Sequence, residues 1–192
     1  MTNILIIQGH PDPAATHLCH AIAAAYLKSA EAAGHAVTLI AVAQHEVPLI
    51  HSRADWESDD LPAVALTGQA AVQEAGHIVL IYPLWMGDMP ALLKGWFEQV
   101  FRQDFAFAKA GKSWRPALRG KSAQVIVTMG MPAMAYRWFY MAHSLRSLDR
   151  NILRFCGIKP VRWSIFGNAE DPTGAAQKGF LAKASQLGAR AG

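Results

Sequence analysis

No apolar run in this 192-residue chain approaches the roughly 18 to 20 residues needed by a helix that crosses a bilayer. A spanning helix is excluded, and no stable membrane insertion is expected. The amino terminus, MTNILIIQGH, has no charged region ahead of its first apolar run, so a secretory leader is not expected and a cytoplasmic location is. Cysteine is scarce. Cys19 and Cys156 stand far apart and show no metal spacing, which excludes a disulfide framework and leaves two buried thiols. No G-x-G-x-x-G occurs, which disfavours a Rossmann dinucleotide fold. Charge is also sparse, 17% against 52% hydrophobic, as in a soluble α/β domain with buried strands. The length suits one domain over residues 1–192.

Acidic residues are missing from one half of the chain. Residues 1–93 hold two basic and nine acidic side chains, whereas residues 94–162 hold thirteen basic and three acidic. A basic block of this kind raises nucleic-acid binding. Its arginines are scattered among aromatic core positions, without a basic tail or a binding motif, so no nucleic-acid partner is expected. Two readings stay open for the block: a site for an anionic dinucleotide, or a subunit surface complementary to the acidic half. His45 and His51 stand six apart near several acids, a spacing that suits neither a helix turn nor a loop metal site, so no metal is expected.

What is present alternates strand with helix. NILIIQ at 3–8, AVTLIAV at 36–42, HIVLIY at 77–82, KSAQVIVTM at 121–129 and residues 160–166 read as strands. Helices are expected at 16–33, 61–75, from Leu92 onward, over the stretch that holds Tyr136, His143, Leu145, Leu148 and Ile152, and at 173–187. Residues 43–60 read as a surface connection and 102–120 as a long one. Continuous apolar runs suit strands buried on both faces of a parallel sheet. With right-handed crossovers, five such units give an α/β three-layer sandwich, a flavodoxin-like five-stranded parallel sheet in the order 2-1-3-4-5 with helices on both faces.

In open α/β sheets ligands bind at the carboxyl ends of the strands, which directs attention to three turns. After the first strand, Gly9-His10-Pro11-Asp12-Pro13 leads into a helix, the arrangement that receives phosphate at a helix amino terminus. After the third, Pro83, Leu84, Trp85, Met86 and Gly87 make an apolar loop suited to a planar ring, with loop N–H groups at its edge; alternatively Trp85 and Met86 simply cap the core. After the fourth comes Thr128-Met129-Gly130-Met131-Pro132.

These stretches carry a resemblance. P-L-W-M-G-x-M-P-A-L-L-K-G-W-F-E-Q-V-F at 83–101 resembles the P-L-x-W-x-x-x-P-x-x-L-K-x-W loop and helix that hold the isoalloxazine in the flavodoxin-like NAD(P)H:quinone oxidoreductases. Trp85 stands one place early, so that Met86 falls at the family's tryptophan. G-H-P-D-P resembles the family's G-H-P-x-x-x-S loop around the flavin phosphate, which makes His10 a phosphate contact, with Thr16 and His17 approximate matches. Alanine at 14 and 15 shifts that contact toward backbone N–H groups. T-M-G-M-P stands at the family's T-T-G-G turn, where Thr128 and Gly130 match and Met129 and Met131 keep the backbone donors. I-L-R-F-C-G at 152–157 is close to the family's I-L-x-F-C-G.

The resemblance implies a flavoprotein enzyme. FMN is expected as cofactor, with FAD as the alternative, because the chain lacks the longer carboxyl-terminal extension of the FAD-binding relatives. Hydride would pass from NAD(P)H through the flavin to a quinone or similar acceptor in two half-reactions, by a ping-pong mechanism. D-F-A-F implies Phe105 and Phe107 as substrate-side aromatics reaching the other subunit's flavin, hence a homodimer. Tyr136 and His143 are the implied donors to developing charge, on one helical face if the helix is continuous. A tyrosine with its hydroxyl tied off in the core is the competing reading. Arg137 and Arg146 stand near enough in sequence to meet the nicotinamide cofactor's phosphates. A regulatory or accessory flavoprotein subunit of a membrane transporter, and a one-electron flavodoxin-type carrier, remain as other readings.

Overall fold

Along the chain the strands are β1 (Asn3–Gln8), β2 (Ala36–Ala41), β3 (His77–Pro83), β4 (Phe107–Ala110), β5 (Ser113–Pro116), β6 (Ser122–Thr128) and β7 (Val161–Phe166). The helices are α1 (Leu18–Ala32), α2 (Arg53–Glu57), α3 (Ala63–Glu74), α4 (Ala91–Val100), α5 (His143–Ser147) and α6 (Ala175–Ala189). This computed structural model describes residues 1–14, 16–170 and 174–191. The expected start of the last helix at Thr173, and the alanine at 15, lie outside the described residues.

Five parallel strands form the sheet in the order β2-β1-β3-β6-β7. Counted among the sheet strands alone, this is the expected 2-1-3-4-5. β3 lies in the centre and is buried over its whole length. The sheet divides the core in two. Ile4, Ile6, Val79, Ile81 and Ile126 pack under α1 and α6, while Leu5, Ile7, Leu80, Val125 and Val127 pack under α3, α4 and the segment after residue 142. Period-2 alternation within each strand produces this division. A Cβ at Gly188 would lie 2.4 Å from the Tyr26 carbonyl oxygen, so glycine permits the close approach of α6 to α1. Register matters most for the site. Gln8 pairs with Ile81 and Pro83 with Thr128, which brings three strand ends to one edge.

Three connections differ from expectation. The 102–120 stretch is no plain loop: β4 and β5 form an antiparallel hairpin turned by Gly111 and Lys112, with Gly111 at φ +63°. Its pairing is local, so no apolar run announces it. Within 43–60, Ser52 and Asp55 form a capping box that starts the short α2. The buried Arg102 guanidinium then donates to the carbonyls of Asp55 (2.7 Å) and Trp56 (3.3 Å), the unpaired acceptors of that helix's last turn. The third difference is the expected helix through Tyr136 and His143. It is broken into a π-helical turn (Ala135–Phe139), α5 and a second π-helical stretch (Leu148–Leu153), with Met141 and Ala142 both at positive φ between the first two. The apolar periodicity survives this break, so it is invisible in the sequence.

At the amino-terminal edge of the sheet, His77 is buried and its Nδ1 lies 2.8 Å from the Ser122 hydroxyl. Burial foremost, then Arg162 and His35, push its pKa down to about 4. A depressed pKa in the folded state costs nothing above the unfolded value near 6.5. Below it the unfolded chain gains a proton that the native chain refuses. Stability should therefore fall as pH drops from 6.5 toward 4, by up to about 3 kcal/mol from this group. Urea midpoints across that range will measure the loss, and His77→Gln should flatten that part of the profile; an unchanged slope in the variant would assign the loss elsewhere.

Candidate functional site

Three turns converge at the carboxyl edge and line a hollow of about 230 Å³. Its walls are His10, His17, Leu18, Cys19, Pro83, Leu84, Trp85, Thr128, Met129, Gly130, Ala169 and Glu170. Two larger hollows, about 410 and 550 Å³, flank Arg102. That guanidinium is occupied in capping α2, and the carboxylates of Glu57, Asp59 and Asp104 stand around the first of them. The smaller hollow lies where the sheet's topology places ligands, and size is the weaker guide.

The first turn is tightly pinned. Gly9 donates its N–H to the Ile81 carbonyl (2.8 Å), and a Cβ there would lie 2.6 Å from the Leu93 side chain, so glycine lets α4 press against the turn. Asp12 organises the rest of the turn. Its amide donates to His10 Nδ1 (3.1 Å), its Oδ1 accepts from the Ala14 amide (2.9 Å), and its Oδ2 meets His17 Nε2 (2.7 Å). His10 and His17 stack at 4.0 Å between ring centroids, and Trp85 presents its edge to His10 at 5.7 Å. His17 is the N-cap residue of α1 but makes no side-chain cap, and with the His20 amide bound to its carbonyl (3.0 Å) the Leu18 and Cys19 amides are left to a ligand or solvent.

The second turn is a two-residue reversal. Trp85 and Asp88 exchange backbone hydrogen bonds (2.9 and 3.0 Å), with Met86 and Gly87 at φ +49° and +82° between them. Positive φ at both central positions explains the glycine and strains Met86. Trp85, half exposed, faces the hollow, whereas Met86 points fully into solvent. The Leu84 amide donates to the Thr128 carbonyl (2.8 Å), tying this turn to the third. There Thr128 Oγ1 lies 3.4 Å from Cys19 Sγ, and Met129 is held by backbone bonds to Phe166 and Ala169. A Cβ on Gly130 would lie 3.2 Å from the Glu170 carboxylate, so Glu170 stands directly over that glycine.

Of the residues singled out from sequence, the hollow brings together His10, His17, Pro83, Leu84, Trp85, Thr128, Met129 and Gly130. It does not include Thr16, Met86, Gly87 or Met131: Thr16 and the 86–87 turn face solvent, and Met131 packs partly buried against the core. Phe105 and Phe107 line separate hollows with Arg102 and Phe155, respectively. They follow α4, which runs back from the site to the amino-terminal edge of the sheet. Leu18, Cys19, Ala169 and Glu170 were missed. The first two are simply the opening of the helix after the first turn; the others come after the last strand, where the same strand-end rule applies.

Tyr136 and His143 do not act as a pair on one helical face. Tyr136 is buried, and its hydroxyl lies 2.6 Å from Ser144 Oγ and accepts the Leu145 amide at 3.3 Å. It thus supplies the cap that Ala142, the N-cap residue of α5, lacks. His143 is exposed just beyond the positive-φ break. Arg137 and Arg146 are exposed as well, beside a run of uncovered apolar side chains that includes Met134, Trp138, Phe139 and Tyr140.

An open parallel sheet with a hollow at its carboxyl edge defines a doubly wound α/β protein with its candidate site at the strand ends. More narrowly, the chain belongs to the family described as having the flavodoxin-like fold, which matches residues 2–190. It is 30% identical over 116 residues to an uncharacterized NAD(P)H oxidoreductase of Haemophilus influenzae, covering 60% of this chain and 57% of that one. It is 34% identical over 127 residues to human ribosyldihydronicotinamide dehydrogenase [quinone], covering 62% and 53%. The aligned stretch thus spans little more than half the length of these relatives. Among solved structures, an NAD(P)H:quinone oxidoreductase from Methanothermobacter marburgensis superposes with a TM-score of 0.85 at 22% identity, over 98% of this chain and 96% of that one, a likeness of fold.

Tyr136→Phe should leave the Leu145 amide and the Ser144 hydroxyl without their partner. A loss of about 1–2 kcal/mol in unfolding free energy is expected, read as a melting temperature several degrees lower. An unaltered melting curve would mean that the hydroxyl does not cap α5.

Proposed function

We propose that this protein is a flavin-dependent NAD(P)H dehydrogenase (quinone) that passes two electrons from a reduced nicotinamide to a quinone or similar acceptor. The observation that carries this reading is the convergence of the three turns on one hollow, where the stacked pair His10 and His17 meets Trp85 edge to face. The donor set fits a flavin mononucleotide. Uncapped amides of α1 with His10 and His17 suit a phosphate. Trp85, Leu84 and Pro83, with the backbone of Met129 and Gly130, suit a flat ring with polar edges. FMN is the favoured flavin and FAD the alternative.

When bound, the flavin would supply the hydride-accepting and hydride-donating chemistry, and the protein orientation, electrostatics and exclusion of water. Leu84, locked by its bond to Thr128, fixes the height of the aromatic turn above the sheet. Tyr136 acts here through shape, as the cap of α5, and His143 is the group free to donate toward developing charge. The names of the H. influenzae and human relatives support the oxidoreductase reading.

The proposed assembly is a homodimer. Met134, Trp138, Phe139, Tyr140 and Met141 are all at least 46% exposed and stand on the segment that leaves the site. Phe107, Trp114 and Phe155 form an aromatic knot at the other edge of the sheet. A two-fold axis can set one protomer's knot against its partner's open segment twice over, which brings Phe105 and Phe107 toward the partner's site. A second reading, an accessory subunit docked on a transporter, draws on 38% identity over 69 residues to the potassium-efflux ancillary protein KefG of Cronobacter sakazakii, covering 36% of this chain and 35% of that one.

FMN at 100 times its dissociation constant should stabilise the fold by about 2.7 kcal/mol, seen as a raised melting temperature. Trp85→Ala should weaken flavin affinity, and an unaltered constant would remove that ring from the flavin site. With NADPH and a soluble quinone, double-reciprocal plots at several fixed quinone concentrations should be parallel, as for two half-reactions sharing one site. Intersecting lines would overturn the shared site. Light scattering at micromolar concentration should report the mass of a dimer; a monomer there would remove Phe105 and Phe107 from the chemistry.

A further inference from the structure

The anion end of the hollow has no permanent positive charge. Among its described lining residues there is neither lysine nor arginine. Attraction for a phosphate must come from the partial charge of the first turn of α1 and from imidazole. Three imidazoles cluster there. His10 and His17 stack at 4.0 Å, and His20, one turn into α1, lies 5.6 and 5.9 Å from them. His20 Nδ1 is buried with no hydrogen-bond partner among the described residues.

The geometry favours neutral His10 while the site is open, with its ring partly buried against His17. The Asp12 amide lies 3.1 Å from His10 Nδ1 and donates to it when that nitrogen carries no proton. The Asp12 carbonyl oxygen lies 3.4 Å from the same nitrogen, so a proton placed on Nδ1 has an acceptor beside it. Two charged rings at 4.0 Å would repel by about 1 kcal/mol in water and about 4 kcal/mol at the lower effective dielectric of a protein surface. Burial first, and then His17, lower the pKa of both His10 and His20. Asp12 offsets this only in part, its carbonyl and carboxylate raising the pKa of His10 and its carboxylate that of His20. Asp12 is engaged by Ala14 and His17, which hold its carboxyl below the usual range. The Cys19 thiol is pushed up to about 11 by burial and is uncharged. Glu170 stands over Gly130 on the segment after β7, and Trp85 and Thr128 bring no charge.

We infer that His10, His17 and His20 form a proton-loading anion site, which takes up a proton as the flavin's phosphate enters and therefore binds phosphorylated flavin more tightly as pH falls. The inference rests on the flavin reading above. Its sign comes from linkage. In the open cluster His10 and His20 are held below the ordinary histidine range by burial and by the neighbouring ring, and a dianion beside them raises that range. Between the two, each proton taken up strengthens binding by up to about tenfold per pH unit lowered. Below about pH 6 the phosphate itself gains a proton and the effect reverses. Riboflavin, with the same ring and no phosphate, should not feel it.

Calorimetric titration of the full chain with FMN and with riboflavin, at pH 8.5 and 6.5 in two buffers of different ionisation enthalpy, tests this. The FMN dissociation constant should fall about tenfold or more between those pH values, with net proton uptake. Riboflavin affinity should stay level. His17→Gln and His20→Gln should each reduce the FMN slope while still binding riboflavin, which also reports that the variants fold. FMN affinity that is level with pH and takes up no proton overturns the inference and leaves the flavin reading standing. Riboflavin that tightens in parallel with FMN overturns it too, because the titrating group then acts on the ring. Failure of either flavin to bind at both pH values removes the flavin reading and the inference together.

Discussion

Everything in the site hangs on β3 being buried on both faces. A strand covered by α1 and α6 on one side and by α3 and α4 on the other has no freedom to slide, because a shift of one residue would send every apolar side chain to the wrong layer. Its carboxyl end is therefore a fixed point. From it Gly9 takes a hydrogen bond partner in Ile81, and Leu84 reaches Thr128 on β6, so that three turns from separate parts of the chain are locked together by two backbone bonds of 2.8 Å. The rigidity of the hollow is that of the sheet.

Upon this frame the two ends of the hollow use different physics. Its phosphate-suited end is made of amides, imidazoles and one organising carboxylate, and Asp12 makes three contacts that shape the turn. Its ring-suited end is a tight reversal whose glycine and strained methionine exist to hold Trp85 at the rim. Asp88 closes that reversal and also accepts the Met89 amide (2.7 Å), so the turn is satisfied internally and leans on nothing that a ligand would displace.

The segment after β6 departs furthest from regularity. Two π-helical stretches enclose a pair of residues at positive φ, a conformation that costs about 1–2 kcal/mol for a residue with a side chain. Tyr136 holds the break in place by reaching across it to Ser144 and Leu145. Strain held by a buried tether, on a segment with a row of uncovered aromatics, is the pattern expected where a surface is shaped for a partner or substrate.

Residue pattern was enough to set the layers and the address of the site. Strongly apolar stretches within 3–8, 77–82 and 121–129 suit a place between two helical layers, and the Gly9, Pro83–Trp85 and Thr128–Gly130 turns then fall at their carboxyl ends. His10 and His17 were legible through the resemblance of the turn after the first strand to the family's phosphate loop. Long-range pairing settled everything else. Whether Trp85 or Met86 faces the hollow depends on the positive φ angles of a two-residue turn, which residue names do not encode. Tyr136 and His143 were separated by a backbone break that leaves apolar spacing intact, and Glu170 came over Gly130 only through the pairing of β6 with β7. Local pattern fixes which face of an element is buried; it does not fix where a turn points a side chain once distant strands have set its ends.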